Sequence, residues 1–184
     1  MLAVDYDEPG GPDVLKLTKI NIPDISKDEV LIKVKSAGVN RPDIIQREGN
    51  YPAPPGHSKT LGLEVSGIIE KVGTNVKKFL VGDKVAALVN GGGYAEFCKA
   101  NESLVFHIPK NITFNEAACI PECFFTAWSN IVMRGEIKKN QKILIHGGTS
   151  GVGIASIQIA KLFDSYIITT VGNKEKVSFC KKLG

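Results

Sequence analysis

A run of glycines between two apolar segments constrains the fold of this chain more than any other stretch. Residues 146–155 read HGGTSGVGIA; KILIH ends at residue 146, and IASIQIAKLF starts at residue 154. This order predicts a strand, a tight turn and a helix. YIITTV at 166–171 predicts a second strand, and the lysine-rich segment 174–183 a second helix. Short, continuously apolar strands alternating with helices are typical of a parallel α/β sheet.

The glycine spacing, Gly148-x-x-Gly151-x-Gly153, is a permutation of the Gly-x-Gly-x-x-Gly pattern of dinucleotide-binding turns. Such a turn leaves the strand sharply, lets a pyrophosphate approach the backbone and packs the helix close to the sheet, so it favours residues without a Cβ. The helix start offers unpaired N–H groups and partial positive charge to phosphates. We therefore predict a cofactor site at Gly148, Ser150, Gly151, Val152 and Gly153. A plain strand-to-helix turn is the alternative.

The residues after the second strand indicate which dinucleotide binds. An NAD site usually has an acidic residue about 20 positions past the glycines. Here the chain reads VGNKEK at 171–176, with no carboxylate at the strand tip and with two lysines. A 2′-phosphate meets cationic partners there, which favours NADPH over NADH and adds Gly172, Asn173 and Lys176 to the predicted cofactor site. The alternative is a helix start with solvated lysines.

The first two-thirds of the chain is rich in strand patterns. VLIKVKSAGV at 30–39 alternates apolar and polar residues, and 64–73 and 82–89 are β-branched runs interrupted by Gly, Asn or Asp. Segment 91–100 predicts another strand after a glycine turn, whereas the prolines of 51–60 predict an ordered loop. Several short strands at this spacing predict a small barrel or sandwich.

A change of pattern near residue 114 separates two domains. Segment 114–135 has helical spacing on both sides of Pro121, and Gly135 is a helix stop. We therefore predict a β-rich domain at 1–123 and an α/β nucleotide-binding part at 124–184. The predicted fold class is α/β with a β-rich part.

Composition excludes several protein classes. The 184 residues are 43% hydrophobic and 23% charged, with a mean hydropathy of +0.01, as in globular proteins rather than disordered or collagenous ones. No apolar run reaches the roughly 18–20 residues of a membrane span. The amino terminus, MLAVDYDEPGG, has no basic segment typical of a signal peptide, so we expect a cytoplasmic protein. The four cysteines include no Cys-x-x-Cys pair, which favours reduced, buried thiols.

The charge distribution favours an anionic ligand for the second domain. Residues 1–123 contain 14 Lys and Arg against 16 Asp and Glu, and residues 124–184 contain 9 against 3. A solvated lysine surface is the alternative explanation. The net charge of +4 is too small to indicate nucleic-acid binding.

Several stretches together resemble the zinc-free quinone oxidoreductase (zeta-crystallin-like) family of the medium-chain dehydrogenase/reductase superfamily. They are DEPGGPDVLKL, AGVNRPDIIQREGNYPAPPG, LGLEVSGIIEKVG, GDKVAAL, IPECFFTAW, KILIHGGTSGVGIASIQIAK and KLG. They occur in the family's order and are most similar to the NADPH quinone oxidoreductases induced by a tumour suppressor. The resemblance implies a GroES-like catalytic domain followed by a Rossmann domain, with the active site between them. Because the family continues beyond KLG, we expect a C-terminally truncated Rossmann domain.

The resemblance also implies a site without metal. Zinc-dependent relatives have a cysteine where Asn40 stands and Gly-His-Glu where this chain reads GLE at 62–64. Cys123 lies one residue from their third ligand position, and one thiol does not make a zinc site. Their four-cysteine lobe is replaced by VNGGGYAEF, and His57 and His107 lack partners at ligand spacing.

By the same resemblance, Asn40, Asp43 and Tyr51 are candidate catalytic residues. Asn40 is expected to hydrogen-bond the nicotinamide ribose or the substrate carbonyl, and Tyr51 to donate to a quinol oxygen or to stack on the ring. Asp43 is expected either to take part in catalysis or to fix the loop or Arg41. Thr126 resembles a family threonine that faces the nicotinamide, so Asn40 and Thr126 join the predicted cofactor site.

The function that this resemblance implies is NADPH-dependent reduction of a quinone or an α,β-unsaturated carbonyl compound, since such acceptors take a hydride without a metal. An enoyl or alkenal reductase of the same superfamily is the first alternative. A non-catalytic protein that uses the fold for structure, nucleotide sensing or RNA binding is the second. The resemblance further implies a homodimer for the complete family member.

Overall fold

The computed structural model describes all of residues 1–184, which form two compact units, Met1–Pro121 and Glu122–Gly184. The division lies two residues before the end of the predicted first domain at 123. None of the helices combines the length and apolar character that crossing a membrane requires.

The first unit is mainly strands. These are β1 (Leu2–Asp5), β2 (Lys16–Lys19), β3 (Glu29–Ala37), β4 (Glu64–Val72), β5 (Lys84–Leu88), β6 (Phe97–Asn101) and β7 (Val105–His107). Its α-helices are α1 (Arg41–Arg47) and α2 (Phe114–Ala117), and single 3-10 turns occur at Pro12–Val14 and Glu102–Leu104.

Five of these strands form one antiparallel sheet in the order β6-β3-β4-β5-β7, and β1 pairs with β2 in a separate ribbon. The apolar positions of the central strands, such as Val30, Ile32 and Val65, are fully buried in the core of this unit. The strands predicted near 30–39, 64–73 and 82–89 are therefore confirmed, although each is shorter than its pattern.

Two local features of this unit differ from the prediction. The strand predicted from residue 91 starts only at Phe97, because Gly91 and Gly92 have φ angles of +94° and +87° and prolong the turn. Helix α1 was not predicted. It begins after Asn40, which forms a capping box with Asp43. Pro42 is tolerated because the N–H groups of the first helical turn make no hydrogen bond within the helix, so the missing N–H of proline costs none.

The second unit contains a long helical segment followed by two strand–helix repeats. The elements are α3 (Pro121–Trp128), a π-helix (Ser129–Arg134), β8 (Lys142–His146), α4 (Gly151–Lys161), β9 (Tyr166–Thr170) and α5 (Lys174–Leu183). Gly135 ends the π-helix, and its N–H donates to the carbonyl of Asn130 at 2.8 Å. Strands β8 and β9 are parallel, in register from Lys142↔Tyr166 to His146↔Thr170. The predicted fold class, α/β with a β-rich part, is confirmed.

Helix α4 is central to the packing of this second unit. Ala155 and Ile159 pack with Ala127 of α3, and Ile157 packs with Ile145 of β8 and Cys180 of α5. Because buried residues occur on two sides of α4, its position relative to β8 is fixed, and so is the glycine turn that joins them.

Candidate functional site

The glycine turn between β8 and α4 is too tightly packed for side chains at two of its positions. Gly148 and Gly153 are buried. A Cβ on Gly148 would overlap Thr169 Oγ1 of β9, and a Cβ on Gly153 would overlap the carbonyl oxygen of Gly147. These glycines let the turn approach β9 and the helix approach the turn, two of the requirements of a dinucleotide-binding turn.

The start of α4 offers unpaired donors. Ser150 is the N-cap, and its Oγ accepts a hydrogen bond from the Gly153 N–H at 3.0 Å. The backbone N–H groups of Gly151 and Val152 make no hydrogen bond within the protein, and both residues are exposed. An exposed helix N-terminus with free N–H groups fits an anionic group such as a pyrophosphate.

The turn is also tied to the end of β9. The N–H groups of Gly147 and Gly148 donate to the carbonyl oxygen of Thr170 at 3.1 and 3.2 Å. Gly147 has a φ angle of +70°, which a residue with a side chain rarely adopts. The predicted phosphate-binding turn therefore lies directly beside the carboxyl end of the next parallel strand.

The predicted residues after β9 lie at this same edge of the sheet. Asn173 is the N-cap of α5 and accepts a hydrogen bond from the Lys176 N–H at 2.9 Å. Gly172 is exposed, and a Cβ there would have no atom within 4 Å. The Lys176 side chain is exposed and forms no salt bridge. The carboxyl ends of parallel strands are where α/β proteins bind ligands, and Gly148–Gly153 and 172–176 meet there.

Helix α3 contacts the start of α4 through Cys123. A Cβ on Gly151 would lie 2.6 Å from Cys123 Sγ. Thr126 is three residues further along α3 and so lies on the same face as Cys123. Its side chain is half-buried, and its carbonyl oxygen accepts a hydrogen bond from Asn130 Nδ2 at 2.8 Å.

In the first unit, Asp43 is a buried anchor. It is 2% exposed, and its Oδ2 accepts hydrogen bonds from the Asn40 N–H at 2.8 Å and from the Tyr94 hydroxyl at 3.0 Å. Its Oδ1 accepts from the Gly62 N–H at 3.1 Å. Arg41 is not among its partners. Asp43 therefore joins the start of α1 to the segment before β4.

Tyr94 was not singled out in the sequence, yet it completes the surroundings of Asp43. Burial, followed by the charge of Asp43 and the hydrogen bond to it, raises the pKa of the Tyr94 hydroxyl far above its ordinary value. Tyr94 therefore stays protonated and acts as a donor to Asp43 over the whole range in which proteins are usually studied.

Glu64 is a second buried carboxylate beside Asn40. It is 2% exposed, and its Oε1 accepts a hydrogen bond from Asn40 Nδ2 at 2.8 Å. A Cβ on Gly38 would overlap Glu64 Oε1, so glycine at this position leaves room for the carboxylate. The sequence offers only a weak signal for this role, an acidic residue at the start of an apolar strand and at the end of the GLE segment 62–64.

Tyr51 is separate from this group of hydrogen-bonded residues. Its side chain is 45% exposed, and its hydroxyl makes no hydrogen bond with Asn40 or Asp43. It lines a depression with Tyr6, Gln46 and Lys59. The structure thus brings together two of the three predicted catalytic residues and leaves the Tyr51 hydroxyl accessible. No group of three or more His, Cys, Asp and Glu side chains is placed to hold a metal ion.

Comparison with known proteins gives similarities that agree with one another. The family model of the alcohol dehydrogenase GroES-like domain matches residues 26–110. The human quinone oxidoreductase is 38% identical over 177 residues, which are 95% of this chain and 54% of the relative. The chain spans about half the length of the curated relatives that it matches.

Solved structures agree with this match. A crystal structure of the CurK enoyl reductase has a TM-score of 0.89 at 29% identity, covering 99% of this chain and 57% of that one. A mycobacterial protein solved in complex with NADPH has a TM-score of 0.87 at 34% identity, covering all of this chain and 57% of that one. With a match to the alcohol dehydrogenase GroES-like domain followed by two parallel strand–helix repeats, the chain is similar to quinone oxidoreductases along nearly its whole length.

Proposed function

We propose that the protein is an NADPH-dependent quinone oxidoreductase that works without a metal ion. The observation that carries this proposal is the exposed start of α4, where Gly151 and Val152 have free N–H groups directly after a turn packed around glycines. The similarity to quinone oxidoreductases along 95% of the chain supports it. The solved NADPH complex of a structural relative supports the choice of cofactor.

The proposed cofactor site combines the glycine turn with the end of β9. The N–H groups of Gly151 and Val152 hold the pyrophosphate, and the Ser150 hydroxyl donates to it while its oxygen caps the helix. Lys176 pairs with the 2′-phosphate, for which the open space around Gly172 leaves room. When bound, NADPH supplies the hydride.

The first unit supplies the groups that bind and orient the acceptor. Asn40 donates a hydrogen bond to an oxygen of the bound molecules, and the accessible Tyr51 hydroxyl donates to the acceptor oxygen as negative charge develops on it. Asp43 has a fixing role at the start of α1, because both of its oxygens are already used within the protein. The site lacks zinc ligands because Asn40 and Leu63 stand where zinc-dependent relatives have cysteine and histidine.

The test is quinone-dependent oxidation of NADPH by the full chain, measured with benzoquinone and naphthoquinone acceptors. We expect turnover with NADPH and weaker turnover with NADH. The matched variant is Val152→Pro, which removes one of the two free N–H groups at a position where the first turn of a helix accepts proline. It is expected to raise the KM for NADPH and to leave the fold intact. Absence of quinone-dependent oxidation with either cofactor would refute the proposal.

A second candidate is an enoyl reductase, which the similarity to the CurK enoyl reductase favours. Both reactions deliver a hydride to an electron-poor acceptor and use the same cofactor site. Rates with enoyl thioesters and with quinones, compared at equal NADPH concentration, distinguish them. A kcat/KM that is higher for enoyl thioesters would replace the quinone assignment.

We also propose that the protein is a homodimer that acts on small molecules, as the family resemblance implies. Sedimentation equilibrium of the full chain tests the assembly. A monomer at micromolar concentration would contradict it.

A further inference from the structure

Four polar side chains meet at the amino end of α1, and the hydrogen bonds among them are directional. Asp43 and Glu64 are each 2% exposed, whereas Asn40 is only half-buried. The Tyr94 hydroxyl donates to Asp43, and Asn40 Nδ2 donates to Glu64. Asn40 and Tyr94 are therefore the members of the cluster that reach the surface, and the two carboxylates are buried.

The Asn40 amide is held from two sides. In the capping box its side-chain oxygen faces the backbone N–H of Asp43, and on the other side Nδ2 is 2.8 Å from Glu64 Oε1. The amide nitrogen carries only donors, so in this contact Asn40 donates and the Glu64 oxygen accepts. One of the two amide N–H bonds is used in this way. The other makes no hydrogen bond within the protein.

The position of Glu64 is itself fixed by the backbone. It opens β4, where it is paired with Leu88, and its carbonyl oxygen accepts a hydrogen bond from the Gly38 N–H at 3.2 Å. The carboxylate occupies the space that a Cβ on Gly38 would fill. With both ends of the contact held by strand and helix, the pair has little freedom to exchange the amide oxygen and nitrogen.

We propose that Glu64 is a positioning residue that orients the Asn40 amide, so that Asn40 presents an N–H donor, and not its carbonyl, to an oxygen of the bound molecules. This inference rests on the proposed function and adds to it the direction of the hydrogen bond between Asn40 and the bound molecules. The oxygen belongs either to the acceptor carbonyl or to the cofactor ribose. In both cases a ligand group that offers only a donor is disfavoured, because it would meet the N–H of Asn40.

The direction of the hydrogen bond is tested by reversing it. Asn40→Asp places two carboxylates against each other, and we expect lower thermal stability and lower turnover in the full chain. Adding Glu64→Gln restores a hydrogen bond of opposite direction, from the new amide to the new carboxylate. The double variant should therefore recover most of the stability. It should still lose about tenfold or more in kcat/KM, since the outward donor has become an acceptor.

Two kinetic readouts separate the possible ligands. A rise in the KM for NADPH with unchanged kcat assigns the donor to the cofactor ribose, and a fall in kcat at saturating NADPH assigns it to the acceptor carbonyl. The matched control is the exposed pair Asn75 and Asp28, in which Asn75 Nδ2 donates to Asp28 Oδ1 at the same distance of 2.8 Å. The corresponding exchange there, Asn75→Asp with Asp28→Asn, should leave stability and turnover unchanged.

The outcomes are distinguishable. Recovery of both stability and turnover in the double variant would overturn the proposal, because the direction of the amide would not matter. Failure to recover stability would overturn it as well, because Glu64 would not hold Asn40. A wild-type chain that reduces no quinone would refute the proposed function alone, since the stability cycle tests the pairing without activity.

Discussion

Gly151 lies against Cys123, so that a Cβ on the first residue of α4 would come within 2.6 Å of the sulfur atom. The contact joins α3 to the turn that holds the proposed phosphate site. Glycine at this position therefore has a packing reason in addition to the access it gives to a ligand. Packing against Cys123 and access for a ligand make different predictions for the stability of a protein that carries substitutions at both Gly151 and Cys123.

Gly151→Ala should lower the free energy of unfolding by about 1–3 kcal/mol, the usual cost of overpacking. Cys123→Ala removes the sulfur, so the double variant should be more stable than the sum of the two single effects predicts. Urea denaturation of the four proteins measures this coupling. Gly172→Ala is the control for stability, since its new Cβ has no atom within 4 Å. Strictly additive effects would show that the contact with Cys123 is not the reason why a side chain at position 151 destabilises the fold.

Removing the Tyr94 hydroxyl should lower the free energy of unfolding, because Asp43 then loses a hydrogen-bond donor. Tyr94→Phe leaves Asp43 with one hydrogen bond fewer at a site that is 2% exposed, and we expect a loss of about 1–3 kcal/mol at pH 7. Tyr51→Phe, at an exposed position, should leave stability unchanged. Equal stability of the two variants would show that Asp43 does not need this donor.

The same tyrosine has a predictable pH dependence. Its pKa is raised in the folded state, mainly by burial, so its contribution to stability is fully present below its unfolded pKa of about 10. That contribution is lost as the pH rises above this value, because the unfolded chain releases the proton more easily. The difference in the free energy of unfolding between wild type and Tyr94→Phe should therefore shrink as the pH is raised above about 10. Urea denaturation at a series of pH values measures it.

Glu102 gives the opposite dependence at acid pH. The backbone N–H groups of Lys78 and Lys77 donate to its carboxylate at 2.7 and 2.8 Å and lower its pKa. A lowered pKa stabilises the fold above the unfolded value of about 4.3, and this contribution disappears as the pH falls further. Glu102→Gln should thus be less stable than wild type at pH 7, and this difference should shrink as the pH falls below the unfolded pKa. Glu70→Gln, on an exposed strand position, is the control.

The elements of the second unit could be predicted from the sequence because local patterns determine them. KILIH and YIITT are short apolar runs bounded by glycine or polar residues, and both are strands of the observed parallel pair. The sequence pattern predicts that α4 starts at residue 154, whereas it begins at Gly151. The three residues between were assigned to the turn because of their glycines, but the Ser150 N-cap starts the helix earlier.

The polar cluster of the first unit was less predictable because its contacts are distant in sequence. Asp43 and Tyr94 are 51 positions apart, and Asn40 and Glu64 are 24 apart. No local pattern indicates that a carboxylate at the start of a strand faces the N-cap of a helix. The family resemblance indicates Asn40 and Asp43 but not Glu64 and Tyr94, since the roles of these two depend on hydrogen bonds between segments distant in the sequence.

Comparing the KM for NADPH with the KM for NADH tests the proposed role of the residues after β9 most directly. Lys176→Ala should raise the KM for NADPH roughly tenfold, the expected loss of one charge-assisted contact, and should leave the KM for NADH unchanged. Because the Lys176 side chain is exposed, added salt should screen the proposed contact with the 2′-phosphate and reduce the difference in KM that we expect between NADPH and NADH. Lys182→Ala, in the last turn of the same helix, removes an equal charge away from the strand end and should change neither KM. An equal loss for both cofactors in Lys176→Ala would place this lysine outside the 2′-phosphate site.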